Sequence, residues 1–149
     1  MIVSVNHTSF TVADMDRSIT FYRDNFGMKV ISDRIALPEF ASRITGIPGA
    51  KLRVVYMEVV GYWLEFVQYL EQQGPAIDPR TNSPGAVHFC FDVDDIDRDV
   101  AALRARGVPV RTAEPVLIGG GANKGGRNIF LSDPDGITIE LLQRRTSEA

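Results

Sequence analysis

The chain has 149 residues, 44% of them hydrophobic, and a formal net charge of −3 at pH 7. That size and apolar content suit one folded domain with a real core, while the slightly acidic balance, with signs interspersed, argues against a nucleic-acid-binding face or a charged tail. The single cysteine excludes an internal disulfide, no apolar run approaches the ~20 residues of a membrane span, and Met1 to His7 lacks a signal-peptide pattern, so a cytoplasmic protein without nucleic-acid or membrane partners is expected.

Residues 2–12 are rich in Val, Thr and Phe and alternate loosely, which predicts a strand. Asp14 to Asp16 offer helix N-caps at the positive end of a helix dipole. Ile19, Tyr22 and Phe26 then recur at helical spacing, and Gly27 stops the run as a C-terminal cap. Residues 28–33 predict a second strand. Residues 36–50 contain Pro38, Gly46, Pro48 and Gly49 and read as a loop with one helical turn. Residues 52–60 and 62–70 read as two strands of a hairpin around Gly61. The order is β-α-β-β-β.

The second half repeats that order. Residues 86–93 predict a strand. Residues 95–106 predict a helix with Ile96, Val100 and Leu103 on one face and Gly107 at its end. Residues 108–112 predict a short strand, and 128–131 and 138–142 two more, joined by the turn sequence Ser132-Asp-Pro-Asp-Gly136. The predicted fold is therefore α+β, with two tandem β-α-β-β-β modules forming a concave mixed sheet around a central cavity. A single domain over 1–149 holds module one at about 1–70, a linker at about 71–85 and module two at about 86–143. Residues 143–149 read as a fraying tail.

The repeat extends to individual residues. With a shift of 81, His7-Thr-Ser-Phe-Thr-Val-Ala-Asp-Met-Asp-Arg-Ser18 matches His88-Phe-Cys-Phe-Asp-Val-Asp-Asp-Ile-Asp-Arg-Asp99 at six of twelve positions, the histidines included. Trp63-Leu-Glu-Phe-Val-Gln68 lies over Thr138-Ile-Glu-Leu-Leu-Gln143 in the same way. The two histidines of the chain and two glutamates, Glu65 and Glu140, thus occupy matched places. Side chains alternate faces along a strand. Phe10 and Val12 fall opposite His7, Phe91 and Val93 opposite His88, and apolar residues flank each glutamate. All four polar groups are therefore predicted to leave the helix-covered face and line a hollow, where two imidazoles and two carboxylates suit a divalent ion. Gln68 and Gln143 are read as closing strand ends. Cys90 shares the face of His88, bordering the pocket or filling a small buried site.

The run Gly119-Gly-Gly-Ala-Asn-Lys-Gly-Gly126 does not fit a phosphate-binding P-loop, because Gly125 follows Lys124. It reads as a loop over the pocket, from which Lys124 and Arg127 meet a carboxylate, phosphate or coenzyme A group or stay solvated. Phe40 and Arg43 are placed on the other wall, and Trp63 on the face of Glu65.

With these motifs, with Ser18-Ile-Thr-Phe-Tyr-Arg-Asp-Asn-Phe-Gly27 and with Asp133-Pro-Asp-Gly-Ile-Thr-Ile-Glu140, the chain resembles the vicinal oxygen chelate superfamily. That group includes glyoxalase I, methylmalonyl-CoA epimerase, extradiol dioxygenases and bleomycin- and fosfomycin-resistance proteins. The resemblance is closest to the glyoxalase I and epimerase branches. It implies His7, Glu65, His88 and Glu140 as ligands of one divalent metal ion (Zn, Ni, Co, Mn or Fe) and Glu140 as both ligand and catalytic base. The implied reaction is that of a glyoxalase-type lyase or an isomerase/epimerase, which takes a proton next to a metal-polarised carbonyl through an enolate. The substrate is a small molecule with adjacent oxygens, and a homodimer is implied because many members pair modules across chains. The epimerase has a second glutamate base where this chain reads Arg43-Ile-Thr-Gly-Ile-Pro-Gly-Ala50; Glu39 is nearby but shifted. An Fe(II) extradiol-type dioxygenase and a metal-free drug- or metabolite-binding protein are the alternatives.

Overall fold

Each half of the chain builds a four-stranded mixed sheet with the same strand order, as expected for tandem β-α-β-β-β modules; the computed structural model describes residues 1–145. Unit one, Met1–Ala76, holds β1 (Thr8–Thr11), α1 (Met15–Phe26), β2 (Lys29–Ala36), α2 (Pro38–Thr45), β3 (Lys51–Val59) and β4 (Tyr62–Glu71). Unit two, Ile77–Ala149, holds β5 (His88–Asp92), α3 (Ile96–Ala105), β6 (Val116–Leu117), β7 (Arg127–Ser132) and β8 (Thr138–Gln143). The sheets run β1-β4-β3-β2 and β5-β8-β7-β6, with β1 parallel to β4, β5 parallel to β8 and all other pairs antiparallel.

One face of each sheet is sealed by its long helix. In unit one, Tyr22 of α1 stacks on Phe66 of β4 with ring centroids 4.6 Å apart, and Val12, Met15, Val55, Met57 and Leu64 are buried around them. Each such side chain contributes about 1.5–3 kcal/mol when removed from water. In unit two, Ile96, Val100 and Leu103 of α3 are buried, as are Ile129, Leu131, Ile139 and Leu141 of β7 and β8. The buried Ser18 hydroxyl is not orphaned: it donates to the Asp14 carbonyl at 3.0 Å.

The two helices start through the same device. Asp14 and Asp95 cap them by accepting from the backbone N–H groups of Arg17 and Arg98. The repeat glutamines bind the same turns: Gln68 accepts from Met15 N and donates to Ala13 O, while Gln143 accepts from Ile96 N and donates to Asp94 O. They were expected to close strand ends; instead they clamp the turns that lead from β1 into α1 and from β5 into α3, and Gln68 lies within β4.

Four elements differ from the sequence reading. The first strand begins at Thr8, not residue 2; its parallel partner β4 starts at Tyr62, so residues 2–5 have no partner strand beside them among the described residues. Residues 36–50 contain a full helix, α2, with Pro38 at its first position and Gly46 capping it at φ 71°. The predicted strand at 108–112 is reduced to one bridge, Val110 to Leu131, and β6 pairs further along the same edge. Pro109 has no N–H, so there it serves only as the acceptor of Ser132 N. Of the predicted tail, Gln143 belongs to β8 and residues 146–149 lie outside the described residues.

Candidate active site

His7 lies one residue before β1 and Glu65 in β4. The parallel register sets Ser9 beside Glu65, so that His7 and Glu65 meet on the face away from α1. His7 Nε2 stands 3.4 Å from Glu65 Oε2, and its Nδ1 is 2.7 Å from Asn6 Oδ1. In the tautomer that donates from Nδ1 to Asn6, the neutral ring aims its Nε2 lone pair at a carboxylate. A bound cation would satisfy both electron pairs in that tautomer. Tyr56, directly across the hairpin from Glu65, completes the group. Its hydroxyl hydrogen-bonds to that carboxylate, which with partial burial pushes its pKa up to about 12 and keeps it a donor at neutral pH. The Tyr56 ring meets the His7 ring edge-on at 5.2 Å.

Unit two repeats the pair. His88 Nε2 stands 3.1 Å from Glu140 Oε2, and the His88 ring packs at 5.6 Å on Phe130, the counterpart of Tyr56. Here the other carboxylate oxygen is taken by a neutral donor: Asn128 Nδ2 donates to Glu140 Oε1 at 2.7 Å. Cys90 is exposed, which corrects the buried reading. Partial desolvation of its sulfur, with the charge of Glu140 beside it, pushes the thiol up to about 12.

Ligands about 2.1 Å from one ion and about 90° apart stand about 3 Å from each other. The His88–Glu140 pair at 3.1 Å is close to that separation, and the His7–Glu65 pair at 3.4 Å matches the wider, tetrahedral angle, so each pair would fit adjacent places on a borderline divalent ion. Among the described residues no three His, Cys, Asp or Glu side chains gather around one point; each unit supplies two donors.

A cavity of about 970 Å³ opens on the face of unit one that carries His7 and Glu65, walled by α2. Phe40 lines it, as the sequence reading placed it. Arg43 is exposed on the last turn of α2 and is not among the lining residues. Trp63 is exposed on β4 and meets the Tyr56 ring at 6.0 Å. In unit two, Lys124 is exposed in its glycine-rich loop, while Arg127 already holds Asp97 through two bonds of 2.6 and 2.8 Å. One glycine of the loop has a packing role: a Cβ on Gly126 would lie 2.7 Å from the Gln143 carbonyl.

The sequence reading missed Tyr56, Asn128 and Arg34. Hairpin arithmetic around the Val60–Gly61 turn puts residue 56 opposite 65 and would have found Tyr56. Asn128 is diagonal to Glu140 across β7 and β8, a contact that depends on the five-residue turn between them.

A family model described as the glyoxalase/bleomycin resistance protein/dioxygenase superfamily matches residues 4–141. The chain belongs to this superfamily. Among its relatives, a putative lactoylglutathione lyase of Brassica oleracea var. gemmifera is 33% identical over 93% of the chain, which spans only 43% of that relative's length. A probable lactoylglutathione lyase of Vibrio parahaemolyticus is 30% identical, with 96% of the chain and 92% of the relative covered. A 2-epi-5-epi-valiolone epimerase from an Actinomyces species is 26% identical over 94% of the chain and 79% of its own. The solved structure of a glyoxalase family protein from Bacillus cereus shares the fold, with a TM-score of 0.80 at 22% identity over 97% of this chain and 95% of that one. No helix among the described residues is long and apolar enough to cross a membrane.

Proposed function

We propose that this chain is a divalent-metal-dependent enzyme of the glyoxalase type, a lyase or isomerase that takes a proton from the carbon next to a carbonyl. The observation that carries this reading is the repeated His–Glu pair, His7 with Glu65 at 3.4 Å and His88 with Glu140 at 3.1 Å. The relatives named lactoylglutathione lyase and epimerase support the reaction class, and both reactions move a proton next to a carbonyl or an equivalent centre.

His7, Glu65, His88 and Glu140 are the residues that would hold the ion. When bound, such an ion polarises a carbonyl oxygen and favours loss of the neighbouring proton. Glu140 is the base in this reading. Asn128 donates to Oε1 and fixes the carboxylate plane, which orients the group that would take the proton. Tyr56 does the corresponding holding at Glu65 through its hydroxyl. The substrate is a small molecule with two neighbouring oxygens.

The test is elemental analysis after chelation and reloading with each of Zn, Ni, Co, Mn and Fe(II), followed by turnover assays on glutathione hemithioacetals, acyl-CoA epimers and catechols. Wild type should retain about one ion per chain and His88→Ala should lose it. Glu140→Gln should lower turnover by about 100-fold or more. A wild type that retains no ion under any loading overturns the reading and favours a metal-free binding protein.

A further inference from the structure

Several guanidinium groups among the described residues already hold a carboxylate. Arg53 holds Asp33 and Asp16, Arg98 holds Asp94 and Asp99, Arg127 holds Asp97, and Arg144 holds Asp92. Arg34 is different. It is exposed on β2, lines the cavity, and has no carboxylate within ion-pair distance among the described residues. It is the one permanent cation among the described residues lining that cavity.

The register places it. Arg34 pairs with Val54, which pairs with Val67, which pairs with Thr11. Glu65 lies one row along, two residues from Val67 on β4. Two strand spacings across and two residues along put the Cα atoms of Arg34 and Glu65 about 12 Å apart. The wall beside this span is apolar. Leu37, Phe40 and Ile44 recur at helical spacing on α2 and its cap, line the cavity, and remain 58%, 60% and 67% exposed. An apolar stripe left in water at the edge of a cavity marks a ligand surface.

We infer that this cavity takes a substrate with a single carboxylate, held by Arg34, on an apolar body that lies against Leu37, Phe40 and Ile44 and directs its reacting end toward His7 and Glu65. One planar guanidinium matches one carboxylate; a phosphate dianion, or the two carboxylates of glutathione, asks for more cations than this wall offers. This deepens the proposed function and rests on it only in taking the cavity as the substrate site.

The full-length chain is titrated by calorimetry, first metal-free and then metal-loaded, with 4-phenylbutyrate, 4-phenylbutanol and S-benzylglutathione. The carboxylate should bind about tenfold or more tightly than the alcohol in both states. Arg34→Gln, an exposed substitution, should erase that preference, and Phe40→Ala should weaken acid and alcohol by a similar factor. S-Benzylglutathione should bind more weakly than 4-phenylbutyrate. Equal binding of acid and alcohol by wild type, a preference that survives Arg34→Gln, or tighter binding of S-benzylglutathione each overturn the inference. Because the metal-free protein is titrated first, failure of metal retention leaves a positive result standing, and a negative result with intact metal retention overturns this inference alone.

Discussion

Glu140 has a different neighbour at each oxygen: Asn128 donates to Oε1 at 2.7 Å, and His88 Nε2 stands 3.1 Å from Oε2. The imidazole could share a cation with the carboxylate, whereas the amide only orients it. Partners that orient a ligand commonly change metal affinity by 10–100-fold. Asn128→Ala should therefore weaken metal binding about tenfold in a chelator competition while leaving the thermal midpoint of the metal-free protein nearly unchanged. Unchanged affinity would remove Asn128 from the site. The two His–Glu pairs were legible in the sequence because strand parity and a matched repeat are one-dimensional patterns. Asn128 and Arg34 were not, because each acquires its role from a cross-strand register. That register depends on turn lengths and, at Met28 to Ala36, on an irregularity between Val30 and Ser32 that changes which residues share a face.

The hairpin between β3 and β4 turns through two residues with positive φ, Val60 at 51° and Gly61 at 75°. That geometry matches the twist of the flanking strands, but it favours Asn then Gly at its centre, and a β-branched residue there is strained. Val60 is also 95% exposed, so its side chain gains little from packing. Val60→Asn should stabilise the protein by about 1 kcal/mol, raising the melting midpoint by about 2–4 °C. A lower midpoint would show that Val60 makes a contact worth more than its strain. Both long helices were visible from their caps and apolar spacing. The helix α2 was not, because proline and glycine punctuate loops as well as helix ends, and here they are its first position and its C-terminal cap. The predicted strand at 108–112 fails for a related reason. Its Val-Pro-Val pattern suits an extended edge, but Pro109 cannot donate to a ladder, and the edge is instead covered by two short pieces.

At the scale of the whole molecule, the repeat couples chemistry to stability. The same strand order, helix cap and glutamine clamp occur in both units, and each unit ends with a His–Glu pair on the face its long helix leaves open. This regularity is why the fold was readable from so few motifs: each module's local signals agree with its pairing. An ion that binds the folded chain and not the unfolded one adds stability that grows with its free concentration, about 2.7 kcal/mol at 100 times its dissociation constant. For a chain of this length that corresponds to a rise of about 5–10 °C in melting midpoint. Scanning calorimetry of the chelated protein, then of the same sample with rising metal, should show that shift. His88→Ala should flatten it, because the variant loses a donor on one unit. His7→Ala should flatten it equally if both pairs serve one ion. A shift retained in either variant would mean that the remaining pair binds metal by itself, and the four-ligand reading would then give way to two separate, weaker sites.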